Sequence, residues 1–187
     1  MDKKSQLKNK LNAVDATRKC REEMAELILE QPRLLPTLLE IALQEDTPLG
    51  SRACWILEFV FKAAPELLYP YLDLFTSGLK GVTPESSIRP LAKICESLLS
   101  LYYKPSGGLP RPPLTVSQRE AMTEACFDWL ISSAKVAPKA YSMQSLLLLG
   151  REFNWVHPEL KAVLQLNYPS GSPAYQARAR HVLGKLS

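Results

Sequence analysis

The stretch from Thr47 to Phe75, TPLGSRACWILEFVFKAAPELLYPYLDLF, constrains the fold more than any other part of the sequence. Its first half carries apolar residues on nearly every side of a helix, which is typical of a helix packed among several neighbours. Pro65 and Pro70 then mark a turn and the start of a second helix, because a proline in the first turn lacks only an N–H that has no intrahelical partner. The stretch predicts a helical hairpin with its first helix in the interior.

The same pattern occurs one unit earlier in the chain. The segment CREEMAELILEQPRLLPTLLEIAL, from Cys20, aligns with the segment that begins at Cys54, 34 positions later, and Pro36 and Pro70 are also 34 positions apart. A period of about 34 residues suits two helices and two turns. Pro158 is expected to begin the second helix of a further unit in the same way. Apolar residues follow helical rather than alternating spacing, so the predicted class is all-α.

A second mark recurs where the leading helix of each unit is expected to start. An arginine stands just inside the helix, and an acid or hydroxyl precedes it. The pairs are Asp15 and Arg18, Thr47 and Arg52, Glu85 and Arg89, and Ser172 and Arg178, with Lys139 in a weaker version. These starts resemble the HEAT repeat, whose inner helix begins with an Asp-x-x-Val-Arg-like motif. The resemblance implies a HEAT-like α–α superhelix, a short solenoid of antiparallel helix pairs.

In HEAT stacks such arginines cap or bridge neighbouring units, and this is the interpretation we favour. The alternative is a row of guanidinium groups on the concave face, available to acidic ligands.

Residues 1–187 are expected to form a single HEAT-like domain with one interruption, the loop at 104–116, KPSGGLPRPPLTV. Its glycines and prolines cannot continue a helix. Pro110-Arg-Pro-Pro is interpreted as a stiff connector, or alternatively as a polyproline II ligand for an aromatic groove. At the start of the preceding helix, Thr83 and Ser86 suggest a capping box.

The composition argues against several classes of site. The formal net charge is +4, which permits an acidic partner without requiring one. Four widely spaced cysteines, without a CxxC pair and with only two histidines, predict reduced core thiols rather than a zinc site, and no metal or cofactor is expected. The N-terminus has no secretory pattern and no apolar run reaches bilayer length, so the expected location is the cytoplasm, away from membranes.

Eight residues are candidates for partner binding. They are Arg52, Glu58, Arg89, Glu96, Arg151, Trp155, His157 and Arg178. Glu58 is expected to pair with Lys62, four residues later. Glu96 lies at about the equivalent position of the next leading helix. The indole of Trp155 is expected to pack on Trp129 or the preceding unit. Arg178, His181 and Lys185 are expected on the side of the last helix opposite its buried residues.

The strings RACWILEFV, RPLAKICE, EACFDWLI, VAPKAYSM, WVHPEL and ARARHVLGKL resemble a group of short, all-helical, HEAT-like bacterial proteins of unassigned role. Some members carry the enzyme name adenylosuccinate lyase. That enzyme has a signature loop resembling GSSxMPxKxN, and the sequence departs from it. The nearest match, Tyr141-Ser142-Met143, falls inside a predicted helix.

The favoured hypothesis is therefore a non-enzymatic scaffold that binds a protein partner on its concave face. Nucleic-acid binding through a basic concave face is the first alternative, and adenylosuccinate-lyase-type catalysis is the second.

Overall fold

The computed structural model describes residues 3–44, 46–104 and 108–186, and all regular structure in these ranges is helical. This confirms the predicted all-α class. The α-helices are α1 (Lys3–Asn12), α2 (Arg18–Glu30), α3 (Leu35–Gln44), α4 (Pro48–Ala63), α5 (Leu72–Gly78), α6 (Glu85–Tyr103), α7 (Val116–Ile131), α8 (Val136–Leu149), α9 (Val156–Asn167) and α10 (Pro173–Leu183). Three 3-10 helices cover Pro32–Leu34, Pro65–Tyr71 and Leu79–Gly81.

Hydroxyl side chains before the leading arginines cap helices. Thr17 accepts a hydrogen bond from the backbone N–H of Cys20 at the start of α2, and Thr47 does the same for Gly50 at the start of α4. Ser172 caps α10. Each cap satisfies one of the N–H groups that the first helical turn leaves without an acceptor. The predicted polar residues Thr47 and Ser172 are therefore caps, whereas in α2 the cap is Thr17, and the predicted Asp15 instead accepts hydrogen bonds from the N–H and hydroxyl of Thr17.

The prolines behave similarly in the two copies of the repeat, with one difference. Pro32 and Pro65 both open 3-10 helices after the leading helix. Pro36 lies in the first turn of α3 and Pro158 in the first turn of α9. Pro70, however, lies inside the 3-10 helix Pro65–Tyr71, and the α-helix begins only at Leu72. The second copy thus replaces the first turns of the expected α-helix with a tighter 3-10 segment.

The predicted capping box at Thr83 is wrong. The hydroxyl of Thr83 donates to Asp46 at 2.7 Å, and the hydroxyl of Ser86 lies 2.6 Å from that of Ser51. Both side chains are therefore engaged with residues before and within α4. A capping box forms instead at the start of α7, between Thr115 and Gln118.

The chain divides into two compact units, and the first, Met1–Ile94, is organised around α4. Helix α4 packs on α1, α2 and α3, and α3 also packs on α5. The α4 side chains of Ile56, Leu57 and Val60 are at most 1% exposed, which confirms that this helix is interior. Leu7 and Leu11 of α1 are buried as well.

The second unit, Cys95–Ser187, is organised around α8, which packs on α7, α9 and α10. Met143, Leu146 and Leu149 form its fully buried side. Within the predicted loop at 104–116, residues 108–115 are non-helical and 105–107 lie outside the described residues. The single-domain assignment stays a prediction.

Three of the four cysteines are buried and unpaired, as expected of core thiols: Cys54, Cys95 and Cys126. Cys20 is half-buried. None of the helices in the described part of the chain is both long and apolar enough to span a membrane.

Candidate functional site

In the first unit, the carboxylate of Glu58 is held by two cations from α6. Arg89 Nη2 lies 2.8 Å from Glu58 Oε2, and Lys93 Nζ lies 3.1 Å from Oε1. The Glu58 side chain is only 11% exposed. The predicted surface pair with Lys62 is therefore wrong, because α6 presents Arg89 and Lys93 one turn apart and both reach the carboxylate first.

The polar side of α4 is largely committed to contacts within the same unit. Trp55 donates its indole N–H to the carbonyl of Ser86 at 3.0 Å. The guanidinium of Arg21 lies 5.3 Å from the Trp55 ring centroid, within cation–π range. Arg52 donates to the side-chain oxygen of Asn12 at 3.4 Å. Of these contacts, the bond from Arg52 links α4 to the end of α1, which is the kind of bridge expected of a leading arginine.

A groove of about 300 Å³ runs between α2 and α4. Its walls are Glu22, Ala25, Glu26 and Leu29 from α2, and Phe59, Lys62 and Ala63 from α4. Arg18 holds Glu22 at 2.7 Å. Glu26 and Lys62 form no ion pair with any described residue. The groove thus combines an apolar floor with one unpaired acid and one unpaired base.

In the second unit, Arg178 binds Glu96 with a distance of 3.1 Å between Nη2 and Oε1. Its Nε also donates to the carbonyl of Ala140 at 3.4 Å. The expected basic stripe is therefore wrong for Arg178, which turns toward Glu96 and α8. His181 and Lys185 are exposed.

Trp155 is 54% exposed and stacks on Phe127, with ring centroids 5.6 Å apart and planes 22° apart. Phe127 belongs to α7, in the repeat unit that precedes the one containing Trp155. Of the two predicted alternatives, packing on the preceding unit is therefore confirmed and packing on Trp129 is wrong. Trp129 is 4% exposed and lies on another side of α7, two residues beyond Phe127. Arg151, which shortly precedes Trp155 in the sequence, is also exposed.

The side chain of His157 is held by contacts with α8 and the residue that follows it. A nitrogen of its ring, Nε2, lies 3.0 Å from the carbonyl oxygen of Leu147. A Cβ added at Gly150 would come within 1.9 Å of the ring. The imidazole is thus packed directly against the end of α8, and a glycine is needed there because of the close approach.

Sequence reasoning missed the most extensive polar cluster, which is centred on Arg119. This side chain is 5% exposed and makes two bonds to Glu152, from Nη2 to Oε1 at 2.6 Å and from Nε to Oε2 at 2.9 Å. It also donates to the carbonyl of Leu114. Tyr103 donates its hydroxyl to Glu152 at 2.9 Å. In the sequence, Arg119 stands in SQREAM, a polar helix start that gives no sign of burial.

The Tyr102 ring extends this cluster. The guanidinium of Arg111 lies 3.9 Å from its centroid, and that of Arg119 lies 4.7 Å from it. The segment after the glycines is therefore attached to the unit by both cations, and Pro112 and Leu114 are buried.

The cluster shifts two pKa values in opposite directions. The hydrogen bond from Arg119 lowers the pKa of Glu152 below its usual range, because it stabilises the carboxylate. Burial raises the pKa of Tyr103, and its hydrogen bond to Glu152 raises it further. At neutral pH the cluster is thus a carboxylate held by one guanidinium and one neutral phenol.

Among the described residues, no group of three or more His, Cys, Asp or Glu side chains could hold a metal ion. No protein-family model matches the chain, and neither the curated proteins nor the solved structures provide a match.

Proposed function

We propose that the chain is a HEAT-like α-solenoid that acts as a non-enzymatic scaffold and binds a protein partner through its leading helices, α2, α4, α6, α8 and α10. In a HEAT-like stack these helices line the concave face. Within the first unit, the groove between α2 and α4 is the proposed contact surface.

The packing order supports the solenoid assignment. In the first unit, a leading helix packs on a leading helix, α2 on α4, and a second helix on a second helix, α3 on α5. In the second unit the leading helices α8 and α10 pack on one another. A second helix also packs on the next leading helix, α3 on α4 and α7 on α8. Contacts between one pair and the next are expected of stacked helix pairs, in which each repeat contacts its neighbours.

The groove is the observation that carries the proposal. Leu29 and Phe59 offer an apolar anchor site, and Glu26 and Lys62 line the same groove without an ion-pair partner among the described residues. Protein interfaces combine an apolar centre with a polar rim in this way. A partner segment with one large apolar side chain between a basic and an acidic residue would match both charges.

Nucleic-acid binding is the weaker hypothesis, because the arginines proposed for phosphate contacts already have acceptors. Arg18 binds Glu22, Arg89 binds Glu58 and Arg178 binds Glu96. Each arginine would have to leave its carboxylate before it could neutralise a phosphate. The charge of each pair is close to zero, so these residues contribute little to the attraction of a nucleic acid. Lyase activity stays a hypothesis, which incubation of purified protein with adenylosuccinate would test directly.

The test is affinity capture from native cytosol with and without nuclease, comparing the wild type with Glu26→Lys and Lys62→Glu. Both positions are exposed, so the variants are expected to remain folded, which circular dichroism checks. Glu120→Lys is the matched control, because Glu120 is an exposed acid of the second unit.

We expect one protein to be retained by the wild type and by Glu120→Lys, in the presence of nuclease, and to be lost with either groove variant. Retention that nuclease abolishes, with a steep dependence on salt, would replace the proposal with nucleic-acid binding. Retention that neither groove variant affects would remove the groove from the proposal.

A further inference from the structure

An apolar patch lies on the exposed side of α7 in the second unit. Ile131, the last residue of this helix, is 63% exposed, and Trp155, the N-cap residue of α9, is 54% exposed. Phe127 lies one turn before Ile131 on α7 and stacks on the Trp155 ring. We call these three residues the α7 patch. Single exposed apolar side chains are common on proteins, whereas several that lie together are typical of interaction surfaces.

The charges on the same side of α7 are negative. Glu120, Glu124 and Asp128 are all exposed, and helical spacing places them on the side that holds the α7 patch. The sequence of α7 contains one base, Arg119, which is 5% exposed and bound to Glu152. The exposed side of this helix is therefore acidic, although the net charge of the whole chain is +4.

Two of these acids are near enough to the α7 patch to act at it. Glu124 and Asp128 lie within one turn of Phe127, and Asp128 forms no ion pair with any described residue. Glu120 is two turns from Phe127, about 10 Å along the helix axis, and is outside the proposed contact.

The residues around Trp155 on the other side of the patch contribute no net charge. Arg151 before it and Glu159 after it are both exposed and carry opposite charges. The sign of the charge around the α7 patch is therefore set by α7, and it favours a basic partner.

The ring of Trp155 also favours a cation. Elsewhere in the chain, Arg21 lies over the Trp55 ring at 5.3 Å and Arg111 lies over the Tyr102 ring at 3.9 Å. No cation of the described chain lies over Trp155, whose ring is stacked on one face by Phe127 and is otherwise half exposed. Tryptophan is the best of the aromatic side chains for a cation–π contact.

The shape of the surface suits a helix. Phe127 and Ile131 are four residues apart and so form part of a ridge along α7, and such ridges pack into the grooves between the side chains of another helix. An amphipathic helix that packs in this way presents apolar residues to the ridge and polar residues to its edges.

We propose that the α7 patch is a docking site for a basic amphipathic helix of a partner protein. The apolar side of that helix packs on Phe127 and Ile131, one of its arginines or lysines lies over the Trp155 ring, and other bases face Glu124 and Asp128. The same carboxylates repel phosphate groups, so neither a nucleic acid nor an anionic membrane suits this surface. The site goes beyond the proposed function, because α7 is not a leading helix and the groove between α2 and α4 is not involved.

The test uses three fluorescein-labelled peptides of 16 residues, the length of α7. The first has leucines along one side of a helix and arginines along the other. The second has the same composition in an order that leaves no apolar side, and the third has glutamate in place of each arginine. Fluorescence anisotropy during titration with the full chain measures the affinity for each peptide.

The indole N–H signals of the ¹⁵N-labelled full chain locate the contact. The sequence contains three tryptophans, and the Trp155 signal is the one that is missing from the spectrum of Trp155→Phe.

Two variants of the surface have matched controls. Leu166→Ala is the control for Trp155→Ala, because Leu166 is also a large exposed apolar residue of the second unit, at 79% exposure. Glu30→Lys is the control for Asp128→Lys, because both acids are exposed and lie in the last turn of a helix. Circular dichroism checks that all four variants are folded.

We expect the first peptide to bind the wild type and both controls with equal affinity and to shift the Trp155 signal, and the third peptide not to bind. The affinity for the first peptide should fall about tenfold in Trp155→Ala, because tryptophans at the centre of an interface contribute much of its binding energy. It should fall several-fold in Asp128→Lys, with a larger difference at low salt, because the lost attraction is between charges near the surface.

Four results would overturn the proposal. Equal affinity for the first and second peptides would show attraction of charge without recognition of an apolar side. Equal affinity in Trp155→Ala and Leu166→Ala would leave the α7 patch outside the contact. A peptide that shifts the Trp55 signal but not the Trp155 signal would bind the first unit instead. A shift of the Trp155 signal when the chain alone is concentrated would assign the patch to a second copy of the chain.

Discussion

The two units each contain an acid held by an arginine, and the two pairs differ in which partner is buried. In the first unit the Glu58 carboxylate is 11% exposed, whereas Arg89 is 37% exposed. In the second unit the Arg119 guanidinium is 5% exposed, whereas Glu152 is 37% exposed. A buried charge needs its partners, while an exposed one can be hydrated instead.

The number of partners differs as well. Glu58 has two cations and keeps one if the other is removed. Among the residues that the structure describes, Arg119 has a single carboxylate partner, and its other acceptor is the uncharged carbonyl of Leu114. The two clusters should therefore respond differently to the loss of one member, although both are arginine–glutamate pairs.

The largest effect is expected for Glu152→Ala. It leaves the buried guanidinium of Arg119 without an anion, and the free energy of unfolding should fall by about 2–3 kcal/mol, near the lower end for a broken buried pair because Glu152 is partly hydrated. Urea denaturation measures this. The double variant Arg119→Met, Glu152→Met should lose less, since no charge remains buried. Equal losses for both variants would contradict the account.

In the first unit, single removal of either cation should have a smaller effect. Arg89→Gln and Lys93→Gln should each lower the free energy of unfolding by about 1 kcal/mol, because the other cation still holds Glu58. The free energy of unfolding of the double variant should fall by more than the sum of the two single losses, since the buried carboxylate of Glu58 is then unpaired. A double-mutant cycle by urea denaturation tests this. Additive losses would mean that the two cations act independently.

The smallest effect is the pH dependence due to Glu152. Its folded-state pKa lies below the ordinary value of 4.5, so its stabilisation is present above that value and is lost as pH falls through the lowered pKa. Between about pH 6 and pH 3 the wild type should therefore lose more stability than Glu152→Gln, whose side chain does not titrate. Thermal unfolding at several pH values measures the difference. Parallel curves would show that Glu152 contributes nothing to acid sensitivity.

Local features of the fold were readable from the sequence. Arg18 is the first residue of α2, at the predicted start of a leading helix, and Thr47 begins the interior helix as a cap. Such features depend on residues close in the chain: a hydroxyl that reaches an N–H three residues on, or apolar side chains at helical spacing. Pro70 shows the limit, because a proline marks a helix start without deciding between an α-helix and a 3-10 helix.

The partners of the candidate residues were less predictable. Glu58 and Lys62 have the spacing of a surface pair, and the sequence contains nothing to show that Arg89 and Lys93 approach from another helix. The Trp155 indole likewise stacks on Phe127 rather than on Trp129, two residues away. A small rotation of a helix changes which side chains meet, and helical spacing alone does not set that rotation.

The sequence by itself determined the all-α class, the principal helix starts and the burial of Cys54, Cys95 and Cys126, because these follow from local hydrogen bonding and from the exclusion of apolar side chains from water. Only the tertiary structure decided that Arg119 is buried and that Glu58 binds two cations. The physical reason is that a long, flexible polar side chain binds whichever oppositely charged or polar group lies within its reach in the folded structure. Those distances depend on how the helices pack, over separations of 31 residues for Arg89 and 33 for Arg119.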